Sequence, residues 1–290
     1  MLSDLLKLLR IRAEVYHNAK VCGDWVIPEG HIGQTCFHLP IEGECFLRLP
    51  NGPTMTLRAG DLVIFPRETA HKMLPTQTLS GPQQHLPYAQ APSQGTGLLC
   101  GRLHFQHAAY HVLLDSLPSP LIITAEQAKP WLSPLLALLL NESYSDNPSD
   151  VLLNRICELV FIYALQSHGK NTMKNQGVFK LYAIEKLVPA ITAMHKHPAL
   201  GWTLESLAKC CHMSRTAFTL LFKQSGWTPM RYLTWWRLQL GYQYLQNGDT
   251  LAQTAAAIGY HSEPAFSRAF QKEFSISPGL FRRNHRGVSG

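Results

Sequence analysis

The sequence predicts an α+β fold: an N-terminal antiparallel β-barrel with flanking helices, then an all-α domain holding two helix-turn-helix units. Three observations predict it. Short alternating apolar runs, separated by Gly and Pro turns, fill about residues 21–107. Strand texture then stops, and the rest of the chain has helical periodicity. In the last third, one pattern occurs twice, with Ser214 and Ser262 48 residues apart. It is a short apolar helix, a tight turn, a Ser and an amphipathic helix, which is the plan of a DNA-reading helix-turn-helix.

The 290 residues leave room for two domains, and 46% hydrophobic with 16% charged residues marks a globular chain. The net charge of +7 is uneven. From Lys170 onward there are 15 Lys and Arg against 5 Asp and Glu, whereas the preceding residues hold 11 against 14. The C-terminal part therefore suits a polyanion. Met1–Arg10 (MLSDLLKLLR) carries charges and has no small-residue cleavage site, so no signal peptide is expected. Trp131–Leu140 is about half the apolar length that a membrane span needs. Seven scattered cysteines suit reduced thiols, and the expected location is cytoplasmic, with no membrane partner.

Residues 1–20 are read as one helix, striped by Leu5, Leu6, Leu8 and Leu9. Strand runs come next, such as Cys45–Leu49, Thr54–Leu57 and Asp61–Phe65. Residues 75–97, with four Pro and three Gly, are read as a mobile surface loop. Glu126–Glu142 and Ser149–His168 read as two helices, each apolar on one side, that serve either as a dimer face or as cover for the barrel. The domain boundaries are placed at 1–168 (sensor and dimerisation, barrel about 21–107, helices about 126–168), 169–178 (a polar linker) and 179–290 (DNA binding).

In the C-terminal domain, Leu181–His195 is read as a first helix. Thr203 caps the next, with Glu205 in its first turn. Ser214 caps a first recognition helix, Arg215–Gln224. Pro229 opens a long helix, Met230–Gln246. Thr250 caps another short helix, Gly259-Tyr260 makes the second turn, and Glu263–Glu273 is the second recognition helix. Phe218, Leu221, Phe222, Phe266 and Phe270 are read as core.

Over roughly Leu181–Arg283 the sequence closely resembles the AraC/XylS family of bacterial transcription regulators. The resemblance is carried by Ile258-Gly259-Tyr260, Phe266-Ser267-Arg268-Ala269-Phe270, Phe274, Ser277-Pro278 and Phe281-Arg282. It implies two helix-turn-helix units joined by a linker helix. Recognition helices enter adjacent major grooves, so outward positions should meet base edges. These are Arg215, Thr216 and Thr219 in the first unit and Glu263, Pro264, Ser267 and Arg268 in the second, with Arg268 foremost. Leu220 stands where a polar or basic residue is frequent in the family. Lys223, Lys272, Arg282 and Arg283 suit phosphate.

The barrel segment contains Phe37-His38, Gly43-Glu44, and Gly60-Asp61 followed by Pro66 and His71. It resembles the cupin-type sensor domain of one branch of AraC-like regulators. Where cupin enzymes have a His-x-His pair, this chain has Cys36-Phe37-His38, and Glu68 replaces the second-motif glycine. Both departures argue against an iron centre. His38 and His71 stand at cupin ligand positions. Together with Cys22 and Cys100 they can supply a four-coordinate zinc site. The two thiols can instead form a redox switch, with Lys20 favouring the Cys22 thiolate. Ordinary buried residues around a small-molecule pocket are the third reading. Cys22, Cys100 and Gln106-His107 also resemble a subgroup that includes an activator of reactive-chlorine resistance, which implies oxidant sensing. Cys157, Cys210 and Cys211 are read as structural, and Cys36, two residues from His38, as a reserve ligand.

The expected function is a sequence-specific DNA-binding transcription activator, not an enzyme. An oxidant, metal or small-molecule effector would act through the barrel. The expected partners are double-stranded promoter DNA, RNA polymerase and a second copy of the chain. The alternative is a cupin-type metal-dependent enzyme carrying a DNA-binding tail.

Overall fold

The structure is a computed structural model that describes residues 2–28, 33–76, 81–91, 95–170 and 177–286. Residues 77–80 and 92–94 of the expected loop, and 171–176 of the expected linker, lie outside the described residues. The chain runs α1 (Leu2–Leu9), β1 (Ile11–Cys22), β2 (Ile27–Pro28), β3 (Thr35–Glu42), β4 (Glu44–Arg48), β5 (Thr54–Arg58), β6 (Leu62–Phe65), β7 (Lys72–Pro75), β8 (Gln84–Leu86) and β9 (Thr96–Phe105). It continues through α2 (Tyr110–Leu114), β10 (Leu121–Ile123), α3 (Ala125–Ser143), α4 (Asp150–Lys170), α5 (Gly177–Ala183), α6 (Val188–Lys196), α7 (Leu204–Cys210) and α8 (Arg215–Lys223). It closes with α9 (Pro229–Gln246), α10 (Leu251–Ala257), α11 (Glu263–Phe274) and α12 (Pro278–Arg286).

Packing divides the chain into two compact units, each assembled from separate stretches. One is Ile11–Phe105 with Leu117–His168; the other is Met1–Arg10, Gln106–Ser116 and Gly169–Gly290. Two stretches thus depart from the linear boundaries drawn on the sequence. In α1, Leu5, Leu8 and Leu9 are buried, and α1 lies on α9. In α2, Leu113 and Leu114 are buried, and α2 lies on α5. Both need the helical module to cover their apolar sides.

The first unit is built on two antiparallel sheets, ordered β10-β6-β3-β9-β1-β8 and β2-β7-β4-β5. They share a core that includes Trp25, Leu47, Val63, Phe65, Met73 and Leu98, together with Cys36, Cys45 and Cys100. Among the described residues β8 pairs with β1 at Lys20–Cys22 and leaves the first half of β1 with an open edge. Helix α4 closes part of that edge: Val15 N donates to Asn154 Oδ1 at 2.8 Å and Ala13 N to Glu158 Oε1 at 3.2 Å. A helix laid on an exposed strand satisfies backbone groups that would otherwise pair with another chain.

The structure corrects the expected helix over residues 1–20. It stops at Leu9, Arg10 takes a left-handed φ of 44°, and Ile11 begins the longest strand. Ile11, Ala13 and Val15 alternate with Arg12 and Glu14, so period two overrides the leucine stripe that precedes it. The expected first helix at Leu181–His195 is likewise two, α5 and α6. Ile184 is extended, and Pro189 has no N–H to continue a helix but suits the first turn of a new one. β10 and α2 lie beyond the point where strand texture fades, and the sequence pattern predicts neither.

Among the described residues, no helix is long and apolar enough to cross a membrane.

Candidate nucleic-acid interface and barrel site

The two helix-turn-helix units are built by the same local devices. In the first, Thr203 and Ser206 form a reciprocal capping box on α7, and Met213 N donates to Ala208 O at 3.0 Å across the turn. In the second, Thr250 and Gln253 cap α10, and Tyr260 N donates to Ala255 O at 2.8 Å. Both turns place one residue in the left-handed region, His212 (φ 52°) and Gly259 (φ 81°). Glycine is required only at the second, where a Cβ would lie 2.7 Å from the Ala199 carbonyl oxygen. Each recognition helix then starts at a Ser cap. Ser214 accepts from Ala217 N at 3.2 Å, and Ser262 accepts from Ala265 N at 3.3 Å. An unsatisfied helix start is costly, and one hydroxyl at each entry fixes where the exposed face begins.

Helix α9 carries both units. Its buried Tyr232 packs on Phe222 of the first, and Leu238 and Leu245 share the core of the second with Ile258, Phe266, Phe270 and Phe281. Gly241 lets α9 approach closely, since a Cβ there would meet Ile258 at 3.0 Å and Phe266 at 3.1 Å. Phe218, Phe222, Phe266 and Phe270 are fully buried as expected, while Leu221 is half-buried.

Arg215, Thr216, Lys223, Glu263, Pro264, Arg268 and Lys272 are exposed, and Thr219 and Ser267 are half-buried. Three expected contacts have partners within the chain. Arg215 Nη1 lies 3.0 Å from Glu205 Oε1, an exposed pair that a phosphate can displace. Thr219 Oγ1 donates to Arg215 O at 2.8 Å. Arg282 donates to Gly248 O from Nη2 (3.1 Å) and Nε (3.4 Å), which pins α12 to the end of α9. Leu220 is 61% exposed on the first recognition helix, so that face offers apolar contact where a hydrogen-bonding side chain is the family expectation.

Sequence reasoning missed the polar anchors beneath this module. His195 Nδ1 donates to Asp4 Oδ2 at 3.1 Å, and its Nε2 accepts from the Tyr232 hydroxyl at 2.7 Å. Tyr182 OH lies 2.9 Å from Tyr232 OH, and the His195 ring stacks on Trp236 at 3.8 Å. The buried His107 donates from Nε2 to Gln239 O at 3.0 Å and accepts Ala109 N at 3.1 Å. Burial pulls both imidazoles down to about 4, so each is neutral at pH 7 with a fixed tautomer. In the sequence His107 is marked only by a resemblance, and lone histidines in apolar runs give no other signal.

In the barrel the four expected zinc ligands do not gather. His38 and His71 do meet, with Nε2 atoms 3.0 Å apart. His71 Nδ1 donates to Thr69 O at 2.8 Å, and its Nε2 faces His38. His38 is pulled down to about 3 by burial, then by His71 and His17. Cys100 is the cross-strand partner of His38, fully buried, with its thiol pushed well up by desolvation. Cys22 lies elsewhere. Cys100 faces His17 on β1, and Cys22 is five residues further along. At a rise of about 3.3 Å per residue this separates the two cysteines by roughly 17 Å. That register breaks both the zinc set and the Cys22–Cys100 disulfide in this arrangement. The reserve residue Cys36 is nearer, its Sγ 4.0 Å from His38 Nε2, but burial and then Glu68 push its thiol up. Among the described residues no group of three or more His, Cys, Asp or Glu is arranged to hold a metal ion. The Lys20 ammonium pairs with Glu42 at 3.1 Å.

A cavity of about 320 Å³ opens beside His71, lined also by Arg48, Lys72, Leu49, Pro50 and Ala70. Arg48 and Lys72 are direct cross-strand partners on β4 and β7.

A two-sheet barrel with a duplicated, capped helix-turn-helix is the build of a DNA-binding regulator with an attached sensor domain. Residues 1–170 match the family described as a cupin, and residues 207–284 match that described as a helix-turn-helix domain. The chain belongs to the AraC-like family of helix-turn-helix transcription regulators that carry a cupin domain at the N-terminal side. It is 31% identical over 297 residues to the RCS-specific HTH-type transcriptional activator RclR of Escherichia coli (strain K12), covering 99% of both chains. It is 27% identical over 301 residues to the HTH-type transcriptional regulator AlkR of Acinetobacter baylyi, covering 97% of this chain and 98% of the relative. Among solved structures, an AraC-type regulator from Chromobacterium violaceum is 30% identical, covering 36% of this chain and 95% of the other with a TM-score of 0.33.

Proposed function

We propose that this regulator activates transcription in response to a small anionic effector taken up at the mouth of the barrel. The observation that carries the reading is the pairing of Arg48 with Lys72. Like charges directly opposite one another across strands are destabilising, and an anion between them relieves the repulsion. His71 borders the same cavity and is hydrogen-bonded to His38, so occupancy would reach the barrel interior. The effector shifts the DNA-binding module between arrangements only through its differential affinity for them. RNA polymerase and promoter DNA are the partners in this reading, and two copies of the chain act together.

A second reading is oxidant sensing. It is favoured by the relative named as RCS-specific and by Cys22, which sits against Gly95 away from the sealed core thiols. One experiment separates the two. Thermal midpoints would be measured with inorganic phosphate, acetate and succinate, and after a mild oxidant pulse with thiol counting. We expect at least one anion to raise the midpoint in wild type but not in Arg48→Gln or Lys72→Gln. A midpoint moved only by the oxidant, with loss of the Cys22 thiol, would replace the anion with the redox signal.

A further inference from the structure

We infer that the DNA-binding module carries a ligand site of its own, for an aromatic monocarboxylate, between the linker helix α9 and the second recognition helix α11. A cavity of about 580 Å³ lies there, within the usual range for small-molecule sites. It is lined by Trp227, Arg231, Thr234 and Trp235 from the start of α9 and its entry, and by Lys272 and Glu273 from α11.

The wall chemistry selects the ligand. The two indoles lie 5.5 Å apart and inclined by 52°, which presents an aromatic corner that prefers a flat ring. Trp235 is 4% exposed, and its Nε1 has no hydrogen-bond partner among the described residues. That N–H is sealed from the cavity, so the donors left for a ligand are the Arg231 and Lys272 side chains. The Arg231 guanidinium already lies over the Trp227 ring at 4.9 Å, so the cation–π position is filled from within and a cationic ligand is disfavoured. Arg231 and Lys272 against Glu273 leave one net positive charge around the cavity, which suits a single carboxylate better than a phosphate dianion. Burial raises the Glu273 carboxyl and Arg231 opposes that rise, as expected of a carboxylate set in this wall.

The test is titration calorimetry on the full-length protein with naphthalene-2-carboxylate and, as the uncharged control, naphthalene-2-carboxamide. The expected result is one saturable site for the carboxylate and at least tenfold weaker binding of the amide. Arg231→Gln should weaken the carboxylate at least tenfold, and Thr234→Trp should abolish binding by filling the cavity. Both side chains are exposed, so neither variant empties the core. Arg48→Gln should leave this binding unchanged, which keeps the site distinct from the barrel mouth. No saturable binding, equal binding of acid and amide, or binding indifferent to both α9 variants would overturn the inference.

Discussion

Arg268 is exposed in the second turn of α11, on the side opposite the buried Phe266 and Phe270. Its planar fork is suited to the edge of a guanine, a recognition that Lys or a hydroxyl does not reproduce. Arg268→Ala should cost about 1–3 kcal/mol and relax preference at one or two base pairs. Selection of operators from random DNA, with wild type and variant side by side, checks this, and an unchanged base profile would remove Arg268 from direct readout. Arg282 is the contrasting case. Its hydrogen bonds to the Gly248 carbonyl give it a structural task, so phosphate contact at the last helix falls more naturally to the exposed Arg283. The caps were legible at this scale because a Ser or Thr before an apolar run acts on N–H groups only two or three residues ahead. The histidine anchors were not legible, because their partners lie 37, 132 and 191 residues away.

At the scale of elements, α3 and α4 expose Leu138, Val151, Leu152, Leu159 and Tyr163. Tyr163 stacks on Trp131 at 5.6 Å, which ties the two helices into one apolar surface. Apolar groups collected on one face mark an interaction surface, and the symmetric solution for a single chain is a pair of copies. Leu152→Glu combined with Leu159→Glu should convert a dimer to a monomer in sedimentation velocity. A wild type that already sediments as a monomer, or a variant that stays dimeric, would rule the face out. The existence of these helices was plain in the sequence, with limits within two residues. The α1–β1 boundary was obscured because leucine stripe and alternating strand adjoin without Gly or Pro between them. The zinc set failed for a related reason. Cross-strand register decides that His38, rather than Cys22, faces Cys100, and register is a property of the pairing, not of either strand alone.

Across the whole molecule, buried neutral histidines link stability to pH. His107 and His195 bind protons less readily folded than unfolded. Their contribution is present in full above the ordinary value of about 6.5 and is lost as pH falls from there towards about 4. Each contributes a slope of up to ~1.4 kcal/mol per pH unit in that window. Thermal midpoints of the full chain should therefore drop between pH 7 and pH 5. The drop should be shallower in the double variant His107→Gln, His195→Gln. An equal slope in both proteins would place the pH sensitivity on other groups.

The packing of α1 has a consequence for biosynthesis. Its eight residues leave the ribosome well before α9 does, yet Asp4 is held by His195, and the apolar side of α1 lies on α9. At about 5–20 residues per second, the opening helix waits roughly 10–45 s for the surface that buries its leucines. Through that interval Leu5, Leu8 and Leu9 are open to chaperones and to other nascent chains. A fragment that begins at the linker never receives this helix at all.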